Sequence, residues 1–173
     1  YNPAGLARIK TNEATFMHNQ YVEGVGQQYV GVALRRGLGF QLNHASLGSV
    51  PRTTISSPDG TGSSLSASDT ALGVGYGRAI NDRASLGAGL KYYHESLGDG
   101  SASGLGADLG GLYTVPRVRG LVLGASLLNV GPDVKFQQAK EKLPTLLRLG
   151  AGYEFKHARS RTPLALDLTK SRR

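Results

Sequence analysis

The 173-residue chain has no cysteine and no tryptophan, and charged residues make up only 18% of it. The absence of cysteine excludes a disulfide scaffold and a thiolate metal site. No run of 18 apolar residues occurs, so the sequence predicts no transmembrane helix. Disorder is disfavoured as well, because leucine, valine, alanine and tyrosine are spread along the whole chain. These absences indicate a folded protein that is stabilised without disulfide bonds.

Glycine is abundant, with 25 residues, roughly twice the usual share of ~7%. It recurs mostly at every second position, which excludes the every-third-residue pattern of collagen. In Leu72–Gly77, for example, apolar residues alternate strictly with glycines, and similar alternation returns along the chain. Successive side chains of a strand point to opposite faces, so each segment has one apolar face and one small or polar face. The pattern predicts an all-β antiparallel up-and-down meander of about nine strands with almost no helix.

The predicted connections alternate between short and long. Short ones are Arg36–Gly37, Asn81–Arg83, Pro116–Arg119 and Lys156–Pro163, and long ones are Val22–Gly26, Gly48–Ser68, Gly98–Ser101 and Gly131–Pro144. In a meander this order places every short turn at one end of the sheet and every long loop at the other. Outer-membrane barrels show this asymmetry. Strands of about 10–12 residues also match the length that crosses a bilayer at a tilt.

The face opposite the leucines distinguishes a membrane barrel from a soluble sandwich. In a sandwich that face meets water and carries many charged residues, whereas here it is mostly glycine with isolated charges. We therefore predict a barrel lumen containing a structural or transport-lining polar network of Lys91, Asp108, Arg148 and Asp167. On the convex, lipid-facing side we expect Leu72, Val74, Leu86, Leu90, Leu105, Leu109, Leu121, Leu123, Leu147, Leu149, Leu164 and Leu166. In the alternative, a soluble β-rich binding module, a second sheet would bury these leucines.

The net charge of +8 is concentrated at the predicted short turns. The basic residues there are Arg35, Arg36, Arg78, Arg83, Arg117, Arg119, Lys156, Arg159 and Arg161. Snorkelling and contact with anionic head groups explain such a rim, and docking of an acidic periplasmic partner is the alternative. Nucleic-acid binding is disfavoured, because neither a recognition helix nor interleaved aromatic residues are present.

No motif in the sequence predicts an enzyme, a metal site or a cofactor. The four histidines, His18, His44, His94 and His157, lack the spacing of metal ligands. Gly60–Ser64 resembles a phosphate loop only faintly, since it lacks the lysine and the following helix. Asp108 and Asp167 share their predicted face with Lys91 and Arg148, which favours structural ion pairing over acid–base catalysis.

The first residues, Asn2-Pro3-Ala4-Gly5-Leu6-Ala7, resemble the N-terminal motif of FadL-like outer-membrane barrels, and more closely that of their PorV/PorQ branch. Further similar segments follow in the family's order. They are Ser66–Asp69, Ala71–Tyr76, Leu86–Tyr92, Ala107–Gly110, Leu127–Pro132, Leu143–Pro144 and Ala165–Asp167. Together these segments extend the resemblance over nearly the whole chain.

The resemblance implies a 14-stranded barrel in the bacterial cell outer membrane, without enzyme activity. Residues 1–12 would form an inward-folded plug carrying Asn2, Pro3 and Gly5, and residues 13–173 would supply about nine strands. Pro3 removes a ladder donor and Gly5 favours a turn, so we expect Asn2–Ile9 to pack against the glycine-rich face without joining the sheet. Nine strands cannot close such a barrel, and the chain does not begin with Met, so we expect an internal piece of a longer protein.

The resemblance also implies a role in type IX protein secretion. PorV-like proteins hold or shuttle cargo at the outer membrane, beside the secretion translocon and the surface attachment proteins. The alternative within the superfamily is a FadL-type channel with a hydrophobic ligand, such as a fatty acid, in the lumen. A channel of that type needs a kinked strand, and no predicted strand has proline in its interior, which disfavours this alternative.

Overall fold

A computed structural model describes residues 2–132, 134–136, 139–141, 143–156 and 161–172. The predicted all-β antiparallel meander is confirmed, and its main sheet curls into a half-barrel. In spatial order the sheet contains β1 (Glu13–Gln20), β2 (Val25–Ala33), β3 (Leu38–Pro51), β4 (Ser64–Ala79), β5 (Ala84–Leu97), β6 (Gly100–Thr114), β7 (Leu121–Val130), β10 (Thr145–Lys156) and β11 (Arg161–Arg172). A separate hairpin, β8 (Val134–Phe136) and β9 (Ala139–Glu141), lies in the connection between β7 and β10.

The described chain also contains two short 3-10 helices, Pro3–Arg8 and Val22–Gly24. The first lies outside the sheet, and the second forms the turn between β1 and β2. Asn2 begins the first helix, because its side-chain oxygen accepts a hydrogen bond from the backbone N–H of Ala4 at 3.0 Å. Proline at the next position suits a helix start, where its missing N–H costs nothing.

The strands at the centre of the sheet are longer than the sequence pattern predicted. β3, β4, β5 and β6 contain 14, 16, 14 and 15 residues. The prediction of a loop over Gly48–Ser68 is therefore wrong at both of its ends, because only residues 52–63 separate β3 from β4. The apolar alternation stops there, but backbone pairing continues through serine and alanine, whose small side chains fit either face of a strand.

Two further predictions about connections are wrong. The predicted long loop Gly98–Ser101 is a two-residue turn at Gly98 and Asp99, in which Gly98 has a φ of +56°. Glycine reaches this left-handed region without a steric penalty, so a tight hairpin forms. Proline is also not confined to connections, because Pro163 lies within β11. β11 is an edge strand of the described sheet, where a missing backbone donor is tolerated.

The sheet has two faces of opposite character. We call the face that contacts the Pro3–Arg8 helix the inner face, and the other the outer face. Among the described residues the only buried apolar side chains are Ala4, Ala102 and Leu128. Eleven of the twelve leucines and valines predicted for the lipid side are 43–69% exposed, and Leu121 is half-buried. No second sheet in the described structure covers them. The apolar residues therefore form a surface instead of a core.

Candidate functional site

The Pro3–Arg8 helix lies across the glycine-rich inner face of β3 to β7. Its Leu6 side chain contacts the backbone at Gly39 and Gly75. At Gly87 a β-carbon would collide with the backbone of Pro3 and Ala4. The glycines thus let a backbone segment approach the sheet more closely than any side chain would allow. They are the reason that the helix fits inside the curve of the sheet.

Asn2 joins this helix to two neighbouring strands. Its side-chain amide nitrogen donates to the backbone oxygen of Gly111 in β6 and to that of Ala125 in β7, both at 3.0 Å. Its side-chain oxygen caps the helix at Ala4. At the other end of the helix, Arg8 donates to the hydroxyl of Thr114 at 3.0 Å. The segment is therefore held at both ends by hydrogen bonds to the sheet.

A polar cluster lies on the inner face beside the helix. The Lys91 ammonium group contacts the Asp108 carboxylate at 2.7 Å, and their side chains are only 17% and 8% exposed. Lys91 also donates to the side-chain oxygen of Asn129 at 3.2 Å, and the Tyr93 hydroxyl donates to the same oxygen at 2.8 Å. Four side chains from β5, β6 and β7 thus form one network in which the charges of Lys91 and Asp108 compensate each other.

Asn129 is the centre of this network because β7 has a bulge there. The register between β6 and β7 shifts after the Ala107–Val130 pair, and Asn129 takes a φ of +59°. The backbone N–H of Asn129 donates to the Asp108 carboxylate at 2.8 Å. The Asp108 side chain therefore replaces the ladder partner that the bulge removes. Asn129 also donates to the backbone oxygen of Pro144 at 3.3 Å, and Thr145 donates to the Asn129 carbonyl at 3.4 Å. These bonds fasten the start of β10.

Arg148 and Asp167 share the inner face with this cluster, but they lie on β10 and β11. Asp167 pairs with Gly150 across these strands and its carboxylate extends over that glycine, two pairs along the ladder from Arg148. Within the described structure the only ion pair is the one between Lys91 and Asp108. The predicted network of four charges is therefore divided into a bonded pair and two residues placed farther along the sheet.

Sequence reasoning did not identify Tyr93 or Asn129 as members of the network. Tyr93 follows Tyr92, and the two residues point to opposite faces, so composition alone does not separate them. Asparagine is enriched at positive φ, but nothing else in the Leu128–Gly131 segment distinguishes Asn129 as a residue that adopts it. The bulge shows only in the pairing of β6 with β7, which needs the register.

The helix and the cluster enclose an open cavity of about 310 Å³ on the inner face. Leu6, Ile9 and Tyr29 contribute apolar and aromatic walls, and Lys91 and Asp108 lie at its polar side. The cavity therefore combines an apolar wall with a compensated charge pair, and this combination suits an amphipathic occupant.

The outer face carries an apolar band with polar borders. In β6 the outer positions from Leu105 to Tyr113 are eight residue steps apart, about 27 Å along a strand, or about 21 Å of height at a ~40° tilt. Beyond the band, His94 bonds Ser103 and His44 bonds Thr70, each at 2.9 Å. These histidines have hydroxyl partners, and His157 lies outside the described residues. The band height is close to the ~25 Å apolar belt of membrane barrels.

The described residues include no group of histidine, aspartate or glutamate side chains placed to hold a metal ion. No helix in the described structure has the length and apolar character needed to span a bilayer. Comparison of the chain with protein-family models and with curated proteins gave no match.

Proposed function

We propose that this chain forms part of the wall of a non-enzymatic β-barrel in the bacterial outer membrane. The observation that carries the proposal is the outer face, where Leu90, Leu105 and Leu166 are 63%, 62% and 69% exposed. Such a contiguous apolar surface is unfavourable in water. Lipid chains contact leucine without that penalty, so a bilayer is the environment that suits this face.

The inner face supports the same proposal. A strand that faced water on its second side would carry many charged residues, whereas this side carries glycines, a helix and a compensated ion pair. Charged groups in a membrane protein are tolerated where they face the lumen and find partners. The Pro3–Arg8 helix occupies that lumen as the proposed plug.

Insertion into bilayers tests this proposal directly. The full chain is refolded into phosphatidylcholine vesicles, and protection of the strands from protease is compared with that of the chain in water. We expect protected fragments that span β3 to β7, together with resistance to alkaline extraction. A chain that stays in the supernatant with its strand content intact would contradict the barrel and favour the soluble module.

We propose further that the barrel serves protein secretion as a PorV-like component. This part rests on the ordered resemblance from Asn2-Pro3 to Ala165–Asp167. Its test is to delete the gene in its host and to measure type IX cargo on the cell surface. We expect loss of surface cargo and recovery with the wild-type gene. Unchanged surface cargo in the deletion strain would contradict the secretion role and leave the barrel intact.

One observation favours a second function, a conduit for hydrophobic small molecules. The 310 Å³ inner cavity has apolar walls at Leu6 and Ile9, and Pro163 within β11 removes one argument against a kinked strand. Mass spectrometry of organic extracts from the purified protein separates the two functions. A stoichiometric fatty acid that is lost when Leu6 is replaced by Asp would favour the conduit.

A further inference from the structure

The charge of the described side chains is unevenly distributed between the two ends of the sheet. Among the described side chains, eight basic residues lie at the end where β2–β3, β4–β5 and β6–β7 connect, against three acidic ones, Glu13, Asp82 and Glu154. The opposite end has two basic residues, Arg52 and Lys170, against four acidic ones. Counted over these described side chains alone, the first end has a positive excess of five charges and the second a negative excess of two.

Six of the eight basic residues belong to the turns or lie directly beside them. They are Arg35, Arg36, Arg78, Arg83, Arg117 and Arg119, all exposed, and we call them the basic rim. None of them is in an ion pair in the described structure, whose single salt bridge lies on the inner face. Each of these six arginines is therefore without an ion-pair partner among the described residues, and their positive charges face the surroundings of the turns.

The basic rim is supported by a repeated backbone contact. Each short turn is bonded to the strand that follows its hairpin: Gly77 to Gly37, Thr114 to Arg83, and Glu154 to Gly120, with N···O distances of 2.8, 2.8 and 3.0 Å. Gly37 and Gly120 both have positive φ angles, +85° and +91°. The three turns thus form one continuous edge of the half-barrel, and the arginines are displayed along that edge.

The basic rim also borders the apolar band directly. In β4 the outer positions run Leu72, Val74, Tyr76 and then Arg78. At the turn tips Ile80 is 58% exposed, and Val118, between two arginines, is 42% exposed. Along β4, apolar side chains are thus followed by an aromatic and then by a cationic side chain. A membrane protein shows the same order from the acyl chains to the head groups.

We propose that the basic rim binds the phosphate head groups of anionic phospholipids in the leaflet at the short-turn end. This inference rests on the proposed membrane barrel. Charge complementarity supports it, because unpaired arginines are drawn to a negatively charged surface. A lipid surface fits better than an acidic protein, since the arginines are spread over three successive described turns of the half-barrel edge instead of forming one compact patch.

The test measures lipid preference with two matched variants of the inserted protein. In Arg83→Gln/Arg117→Gln the rim loses two charges, and in Arg52→Gln/Lys170→Gln the opposite end loses the same number. No side-chain hydrogen bond of Arg83 or Arg117 occurs within the described structure, so the fold is expected to persist. Spin-labelled phosphatidylglycerol and phosphatidylcholine report the relative association with each protein in mixed bilayers.

We expect wild-type protein to prefer phosphatidylglycerol, and the rim variant to lose up to about 25-fold of that preference, since each of its two arginines near such a surface is worth about fivefold. The control variant should keep it, and added salt should reduce it. Equal preference in all three proteins would overturn the inference while leaving the barrel standing. Failure of every protein to insert would instead contradict the barrel. Rim-dependent capture of an acidic periplasmic protein without lipid preference would replace the lipid with that partner.

Discussion

The two faces of the sheet are made by alternate residues of the same strands, yet they follow different rules. On β5, Leu90 points outward and is 63% exposed, while its neighbour Lys91 points inward and is 17% exposed. The apolar residue is exposed and the charged residue is largely buried, which is the reverse of the arrangement in a soluble protein. The reversal shows that each face has its own surroundings: lipid for the outer face in our proposal, and the helix with its polar partners for the inner face.

The ion pair on the inner face gives the largest expected effect. Replacing Asp108 by Ala leaves the Lys91 ammonium group without its counter-charge and the Asn129 N–H without its acceptor. Removing one partner of a buried pair costs about 3 kcal/mol or more. We expect a loss of about 3 kcal/mol in the free energy of unfolding, measured by urea titration of the inserted protein.

The double variant Lys91→Met/Asp108→Leu is the control for this change. It removes both charges together, so no uncompensated charge stays on the inner face, and much of the lost stability should return. If the double variant is as unstable as the single one, the carboxylate acts chiefly through its bond to Asn129, and the pairing of charges is not what stabilises the inner face.

A charge on the outer face gives the next largest effect. Leu109 is 57% exposed in the middle of the apolar band, and arginine at the bilayer midplane costs about 2–4 kcal/mol. We expect Leu109→Arg to lower the free energy of unfolding from vesicles by about 2 kcal/mol. Ser101→Arg, on the same strand and face but beyond the band, should change it by less than about 1 kcal/mol. Equal effects at both sites would mean that the outer face meets water.

The alternation of apolar and small residues was sufficient to predict the meander, because a side-chain period of two has no helical interpretation. It was not sufficient to locate the ends of β3 and β4. There β3 continues to Pro51 and β4 begins at Ser64, and the pairing of Pro51 with Ser64 and of Ser46 with Ser68 comes from backbone hydrogen bonds that carry no sequence signal. The bulge at Asn129 was unpredictable for a related reason, since it is a mismatch in residue count between two strands.

Substitution of two inner-face glycines tests the crowding on this face, because one glycine lies against the helix and the other lies beside open space. At Gly87 an added methyl group meets the Pro3–Ala4 backbone, whereas at Gly152 its nearest neighbour is a carbonyl oxygen 3.9 Å away. We expect Gly87→Ala to displace the helix and cost about 1–2 kcal/mol. Gly152→Ala should be neutral or slightly stabilising, because alanine restricts the unfolded chain. Proteolysis at the N-terminal segment measures the displacement.

The smallest expected effect comes from Asn2, whose side chain serves both the helix and the sheet. Its oxygen caps Ala4, and its amide nitrogen donates to Gly111 and Ala125. Asn2→Ala removes all three bonds and should raise the rate of hydrogen exchange at residues 3–8 by an amount equivalent to a loss of about 1 kcal/mol in local stability.

Asn2→Asp separates the two roles of this side chain, because aspartate caps a helix as well as asparagine does but has no amide donor for the two carbonyls. If the sheet bonds hold the segment in place, Asp will loosen it at least as much as Ala, since a carboxylate then faces two carbonyl oxygens. If Asp instead preserves protection, the cap alone matters, and the inner face holds the helix by shape instead of by hydrogen bonds.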